Sequence, residues 1–253
     1  MAVRVLLVVA AFAVLYGCAQ ERQPVEKKHE QAVAAQRSAP ASEPDPSNAD
    51  QLSQDATLQA YFDRMSILLL DEGLNGASEG TNGDREVRAL ALARTLAALE
   101  ALDPVHKRQV MLFLVDASLV QSAPGKDPVV SLVGADLEGV DLTYSAPRDA
   151  QPYASAPVPD LSSADLTYAD LSGANLSGIV MLGTRLVGAD LGGANLNGTV
   201  LNAANLSGAN LSGVTGKSAE QLEGQSSSLK GAILPDGRKY EEWHKDEGSG
   251  TED

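Results

Sequence analysis

The sequence predicts an α+β chain: a small N-terminal helical module, a solenoid of five-residue steps, and a short C-terminal helical cap. Two periodicities carry that prediction. Residues 58–115 show apolar residues at helical spacing, and leucines then recur every fifth residue through most of the remaining chain. A period of five fits neither the 3.6 of a helix nor the 2 of a strand, so it marks a repeat architecture. Composition agrees: 43% of residues are hydrophobic but only 4% aromatic, so the core rests on Leu, Val and Ala.

The N-terminus comes first. Arg4 precedes an apolar run from Val5 to Val14, which ends in Leu15-Tyr16-Gly17-Cys18. A positive start, a short apolar stretch and a small residue make an export signal over residues 1–18. The stretch is too short for a simple spanning helix, which needs about 20 residues. Its ending resembles the bacterial lipobox, although Tyr16 stands where that family has a small residue. The resemblance implies that Cys18 is the lipidated first residue of the mature protein, held at the extracytoplasmic face of a membrane. Two acyl chains are enough for stable anchorage. Cys18 is also the sole cysteine, so no intrachain disulfide can form.

Residues 19–55 are rich in Gln, Glu, Pro, Ala and Ser and nearly devoid of large apolar side chains. Such a segment cannot bury enough surface to offset its ordering entropy and is expected to be a disordered tether. As a coil it would span about 30–36 Å. The helical module is expected over 56–125. Leu58, Tyr61, Phe62, Met65, Leu68 and Leu69 fall on one helix face. Asn75-Gly76 through Asn82-Gly83 breaks the pattern. A second helix is expected from Asp84, facing inward through Ala89, Leu92, Leu96 and Leu99. A third starts at Asp103-Pro104, an acidic cap followed by proline, and runs into the apolar stretch Val110–Val115. His106, without a neighbouring histidine or cysteine, reads as a surface residue.

The repeat occupies 128–215. Leu161, Leu166, Leu171, Leu176, Met181, Leu186, Leu191, Leu196, Leu201, Leu206 and Leu211 are evenly spaced by five. A small residue, usually Ala, lies two positions before most of them, with Asp or Asn between, as in Ala169-Asp170-Leu171. This A-(D/N)-L-x-x pattern resembles the pentapeptide-repeat family. The resemblance implies a right-handed quadrilateral β-helix with four pentapeptides per coil and with Leu and Ala pointing inward. Residues twenty apart then stack. Leu132, Leu137 and Leu142 begin the frame, residues 145–158 interrupt it as a Pro- and Ala-rich loop, and Pro159-Asp160-Leu161 resumes it. Beyond it, Ser218-Ala219-Glu220-Gln221 is a capping box. Leu229 and Leu234 return at a step of five. Residues 216–243 are therefore expected to cap the solenoid end, as terminal repeats require, and 244–253 to be a disordered tail.

One column departs from the pattern. Around Leu161, Met181 and Leu201, Ile179 and Thr199 replace Ala, while Val180 and Val200 replace the outward Asp or Asn; Leu182 is outward too. Clustered outward apolar residues mark a contact, so Val180, Leu182 and Val200 form the candidate interface. The helical module, ahead of the 145–158 loop, is expected to cover them.

The formal charge is −15, which speaks against binding nucleic acid, since that needs clustered Lys and Arg. No Gly-rich phosphate loop follows a strand, and His29, His106 and His244 are scattered. No catalytic residue, cofactor or metal is expected, and a stacked Asp170 and Asp190 read as solvated. The leading reading is a membrane-tethered, extracytoplasmic structural or protein-interaction module without enzyme activity. A second use of the same family is an acidic solenoid that imitates DNA and binds a topoisomerase. Residues 130–214 carry eight acids against Arg148 and Arg185, the sign such mimicry needs. The short rod and the export signal weigh against it.

Overall fold

The computed structural model describes residues 46–70, 74, 82–122, 127–143 and 158–248. The signal segment with Cys18, the tether to residue 45, the loop from 145 to 157 and the last five residues lie outside the described residues.

Three helices open the described chain: α1 (Pro46–Leu70), α2 (Asn82–Ala101) and α3 (Pro104–Asp116). The six apolar positions read from α1 are all buried. The Tyr61, Phe62 and Phe113 rings form a cluster with centroids 5.2–6.3 Å apart. Helix α1 takes in the last ten residues of the expected tether. The reason is polar. Gln54 Oε1 accepts from the Asp103 amide at 3.1 Å, and Asp55 meets His106, so this stretch is fastened by groups that hydrophobic periodicity ignores. Helix α2 is rotated from the expected face: Ala91, Thr95, Ala98 and Leu99 are buried, Leu92 and Leu96 are half-buried, and Ala89 is exposed. Small side chains let α2 approach the bulky face of α1, where the Tyr61 and Thr95 hydroxyls bond at 3.1 Å. Helix α3 begins as expected, with Asp103 accepting from the His106 amide at 2.9 Å.

The repeat supplies the second body of the core. Parallel bridges join residues twenty apart, among them Asp165 with Arg185, Asp170 with Asp190 and Asn175 with Asn195. They are single-residue bridges; among the described residues no multi-residue strand forms. Five residues per side explain this, because each side must also turn. The Ala169 amide donates to Leu166 O at 3.1 Å and the Ala174 amide to Leu171 O at 3.1 Å, and the third residue of such a turn has positive φ, as Gly173 does at 64°. These are type II turns, which favour glycine there.

Every inward residue of the frame is removed from water, from Leu132 to Leu234. Asp136 bridges Asp170 and Asp141 bridges Asn175, an offset of 34 instead of 20. The extra 14 residues equal the unframed segment from 145 to 158 in length. After α4 (Ala219–Gln225), with its Ser218–Gln221 capping box, Leu229 and Leu234 rejoin the columns of Leu206 and Leu211 through Ser228 and Ile233. The last helix, α5 (Tyr240–Gly248), runs into the stretch expected to be a tail. Its start is fixed by Tyr240 donating its amide to Ala232 O and by Glu241 accepting from the Gly231 amide, and Trp243 is only 4% exposed.

The module meets the solenoid end-on. Lys107 Nζ lies 2.6 Å from Asp136, Arg108 donates to Thr143 O at 2.6 Å, and Gln121 bridges Ala164. Buried apolar residues form one continuous core from Leu58 to Trp243. The apolar excess of α3 is therefore absorbed by the open first coil. The expectation that the module covers Val180, Leu182 and Val200 is not met.

Candidate protein-contact face

The irregular column is regular inside. Leu161, Met181 and Leu201 stack, and Ile179 is fully buried beside them. Thr199 and Thr184 are buried at positions that usually hold Ala. Each hydroxyl is satisfied by a carbonyl of the coil below: Thr199 donates to Leu176 O at 2.7 Å and Thr184 to Leu161 O at 2.9 Å. A buried hydroxyl without such a partner would cost about 1–3 kcal/mol.

Outside, the column is aliphatic. Val180 bridges Asp160 on one side and Val200 on the other. Leu182 is 48% exposed and Val200 38%, with Val180 half-buried. The structure thus brings Val180 and Val200 together in one ladder and leaves Leu182 at the adjoining corner. A nearby corner carries a residue that the leucine frame does not flag. Tyr168 is 69% exposed and sits at φ 58°, where the equivalent residues in its column, Gly188 and Gly208, are glycine. Its ring lies across Gly188: a Cβ added there would come within 2.5 Å of Tyr168 Cε1. The missing glycine at 168 in an otherwise glycine-rich corner was the available signal. Holding a tyrosine at positive φ costs about 1–2 kcal/mol.

The Asp and Asn ladders on other faces are self-satisfied. Asp170 Oδ1 accepts from the Ser172 amide at 2.9 Å, and Asp190 Oδ1 from the Gly192 amide at 2.8 Å and Asn210 Nδ2 at 2.9 Å. Asn195 Nδ2 donates to Asn175 Oδ1 at 3.1 Å. Asp165 is paired with Arg185 at 3.2 Å, and Asp136 with Lys107. Outward acids and amides thus serve the corners, as Asx turns do.

Among the described residues no group of three or more His, Cys, Asp or Glu is placed to hold a metal. A groove of about 420 Å³ between α1 and α2 is lined by Thr57, Ala60, Tyr61, Arg64, Arg94 and Ala97. It holds no nucleophile with a base beside it. Burial pushes the Tyr61 hydroxyl far above its ordinary pKa, with the Thr95 bond only partly opposing it, so it is a neutral core group. His106 is not the surface residue its isolation in sequence suggests; it is 7% exposed between two carboxylates. His244 is exposed and pairs with Glu223 at 3.2 Å. No helix among the described residues is long and apolar enough to cross a membrane.

Residues 160–181 and 180–215 match the family described as Pentapeptide repeats, in eight copies. Solved structures similar to the chain include HetL, a pentapeptide repeat protein involved in heterocyst differentiation regulation from the cyanobacterium Nostoc sp. strain PCC 7120. It is 30% identical over 48% of this chain and 46% of its own, with a TM-score of 0.23. A pentapeptide repeat protein from the Arabidopsis thaliana thylakoid lumen is 27% identical over 41% of this chain and 60% of its own, at 0.22. Rfr23 from the cyanobacterium Cyanothece 51142 is 33% identical over 40% and 84%, at 0.21. The chain therefore spans about half the length of the first two. No curated protein sequence matches it.

Proposed function

We propose that this chain, a member of the pentapeptide-repeat family through residues 160–215, is a non-catalytic protein-interaction module tethered to the extracytoplasmic face of a membrane through Cys18. The observation that carries the interaction reading is the aliphatic patch of exposed Leu182 and Val200 with half-buried Val180, set where the repeat elsewhere places Asp or Asn outward. Isolated exposed leucines are ordinary; apolar residues clustered on one ladder and its adjoining corner mark a contact surface. A partner protein with an apolar face fits it. The segment from 216 to 248 serves as the cap of the far end, with Leu234 and Trp243 turned away from water. The tethering half rests on the short apolar run that ends in Leu15-Tyr16-Gly17-Cys18.

DNA mimicry is the weaker reading. It needs an unbroken run of uncompensated carboxylates along the rod, and here Asp165 and Asp136 are ion-paired while the ladder of Asp170 and Asp190 continues as neutral Asn210.

Tethering is tested by Cys18→Ser. The wild type should take up labelled acyl chains and partition with membranes, and the variant should lose both, because one thiol carries the attachment. A variant that stays with the membrane beside an unlabelled wild type would refute the anchor while leaving the interaction face intact.

A further inference from the structure

We propose that the His106 imidazole, set between the carboxylates of Asp103 and Asp55, is a proton-operated latch that fastens the first half of α1 to the start of α3. Nδ1 lies 2.8 Å from Asp103 Oδ1, and Nε2 lies 3.1 Å from Asp55 Oδ1. An ionised carboxylate only accepts, and a neutral imidazole carries a single N–H. Both contacts are therefore hydrogen bonds only in the imidazolium form. Without the second proton, a ring lone pair faces a carboxylate.

The placement by itself opposes the second proton, so the two carboxylates must supply what holds it. His106 is 7% exposed and lies in the first turn of α3, where the helix dipole disfavours a cation. Burial lowers the imidazole pKa, but the bonds to Asp103 and Asp55, together with their charges, outweigh it and hold it above the ordinary value. For Asp103, burial pushes upward, and the bonds from the His106 amide and ring pull its carboxyl below the usual range. The facing charges are Asp55 from α1 and Asp103 from the α2–α3 connection. Lys107, next on α3, is turned to Asp136 of the first coil, and Glu100 of α2 and Glu138 of the coil are exposed.

Loss of the proton breaks one contact selectively. Asp103 is already held as the cap of α3 by the His106 amide, so its bond to the ring persists. Asp55 is 69% exposed, with the longer contact, and is released. Gln54, which accepts from the Asp103 amide and donates to Ala101 O, then remains as the fastening nearby. Because the folded pKa is raised, the latch is complete below the ordinary histidine value of about 6.5 and is lost as pH rises through the elevated one. Helix α1 follows directly on residues 1–45, so the latch sets how firmly the entering chain is moored to the module.

The test is backbone amide exchange on the full chain at about pH 5.5 and about pH 8.5, corrected for intrinsic rates. Amides of residues 50–58 should lose about three- to tenfold of their protection at the higher pH, while those of α2 hold theirs. His106→Gln should abolish that pH step. Asp55→Asn should abolish it differently, by keeping α1 protected at both values, because the amide can donate to neutral Nε2. If His106→Gln does not fold, Asp55→Asn decides alone, since Asp55 is exposed. An unchanged wild type, or an equal pH step in Asp55→Asn, would overturn the latch.

Discussion

Leu191→Ala is expected to lower stability by about 2–5 kcal/mol. Leu191 is fully buried in the column Leu137, Leu171, Leu191, Leu211 and Leu234. Its backbone is clamped on both sides, through its amide to Asn210 O at 2.8 Å and through Asp190 to Ala169 O at 3.0 Å. The coils above and below cannot collapse into the gap without breaking their own bridges, so the cavity should persist. A loss of this size is a large fraction of the 5–15 kcal/mol that holds a typical domain folded. Asn195→Ala is the control. Its Oδ1 accepts from the Asn197 amide at 3.0 Å and its Nδ2 donates to Asn175, so it should cost about 0.5–1.5 kcal/mol. Midpoints of denaturant unfolding at unchanged slope separate the two. Equal losses would contradict the inward placement of the leucines.

Gly216→Ala should cost about 2–4 kcal/mol from two sources. Gly216 has φ 81°, and a Cβ there would lie 2.4 Å from the backbone Cα and N of Asn197. Backbone cannot swing aside as a side chain can, so the last full coil would have to shift. Gly134→Ala isolates the conformational part: φ is 68° and nothing lies within 4 Å of the new methyl. It should cost only about 1–2 kcal/mol. Thermal melts of the two variants give the comparison, and similar losses would mean that contact with Asn197 is absent in solution.

The sequence announces what depends on spacing and hides what depends on polar partners. A five-residue period needs no tertiary information, so the columns through Leu171, Leu191 and Leu211, and the return at Leu229 and Leu234, were legible. So were the Asp103 and Ser218 caps, whose partners lie within a turn. The start of α1 was not, because Gln54 and Asp55 act on groups about fifty residues away. His106 was misplaced for the same reason: its partners are ordinary acids, distinguished only by where the fold carries them. The inward face of α2 runs through Ala91, Thr95 and Ala98, small residues that a leucine-centred periodicity does not single out although close helix packing favours them. Val180, Leu182 and Val200 stand out in the sequence as departures from the repeat rule. The apolar excess of helix α3 joins the same core as Leu132, Leu137 and Leu142 of the first coil.

A photo-crosslinking residue at position 182 in cells tests the interaction reading most directly, with the same residue at position 212 on another corner as reference. Position 182 should give a discrete adduct with one protein, and position 212 none. Val180→Asn with Val200→Asn should abolish the adduct while leaving the melting temperature unchanged within error. Asparagine is the right replacement, since Asp160 already adjoins this ladder and further acids would repel it. Adducts of equal yield and pattern from both positions, or persistence of the adduct in the double variant, would contradict the claim that this strip is where the rod meets its partner.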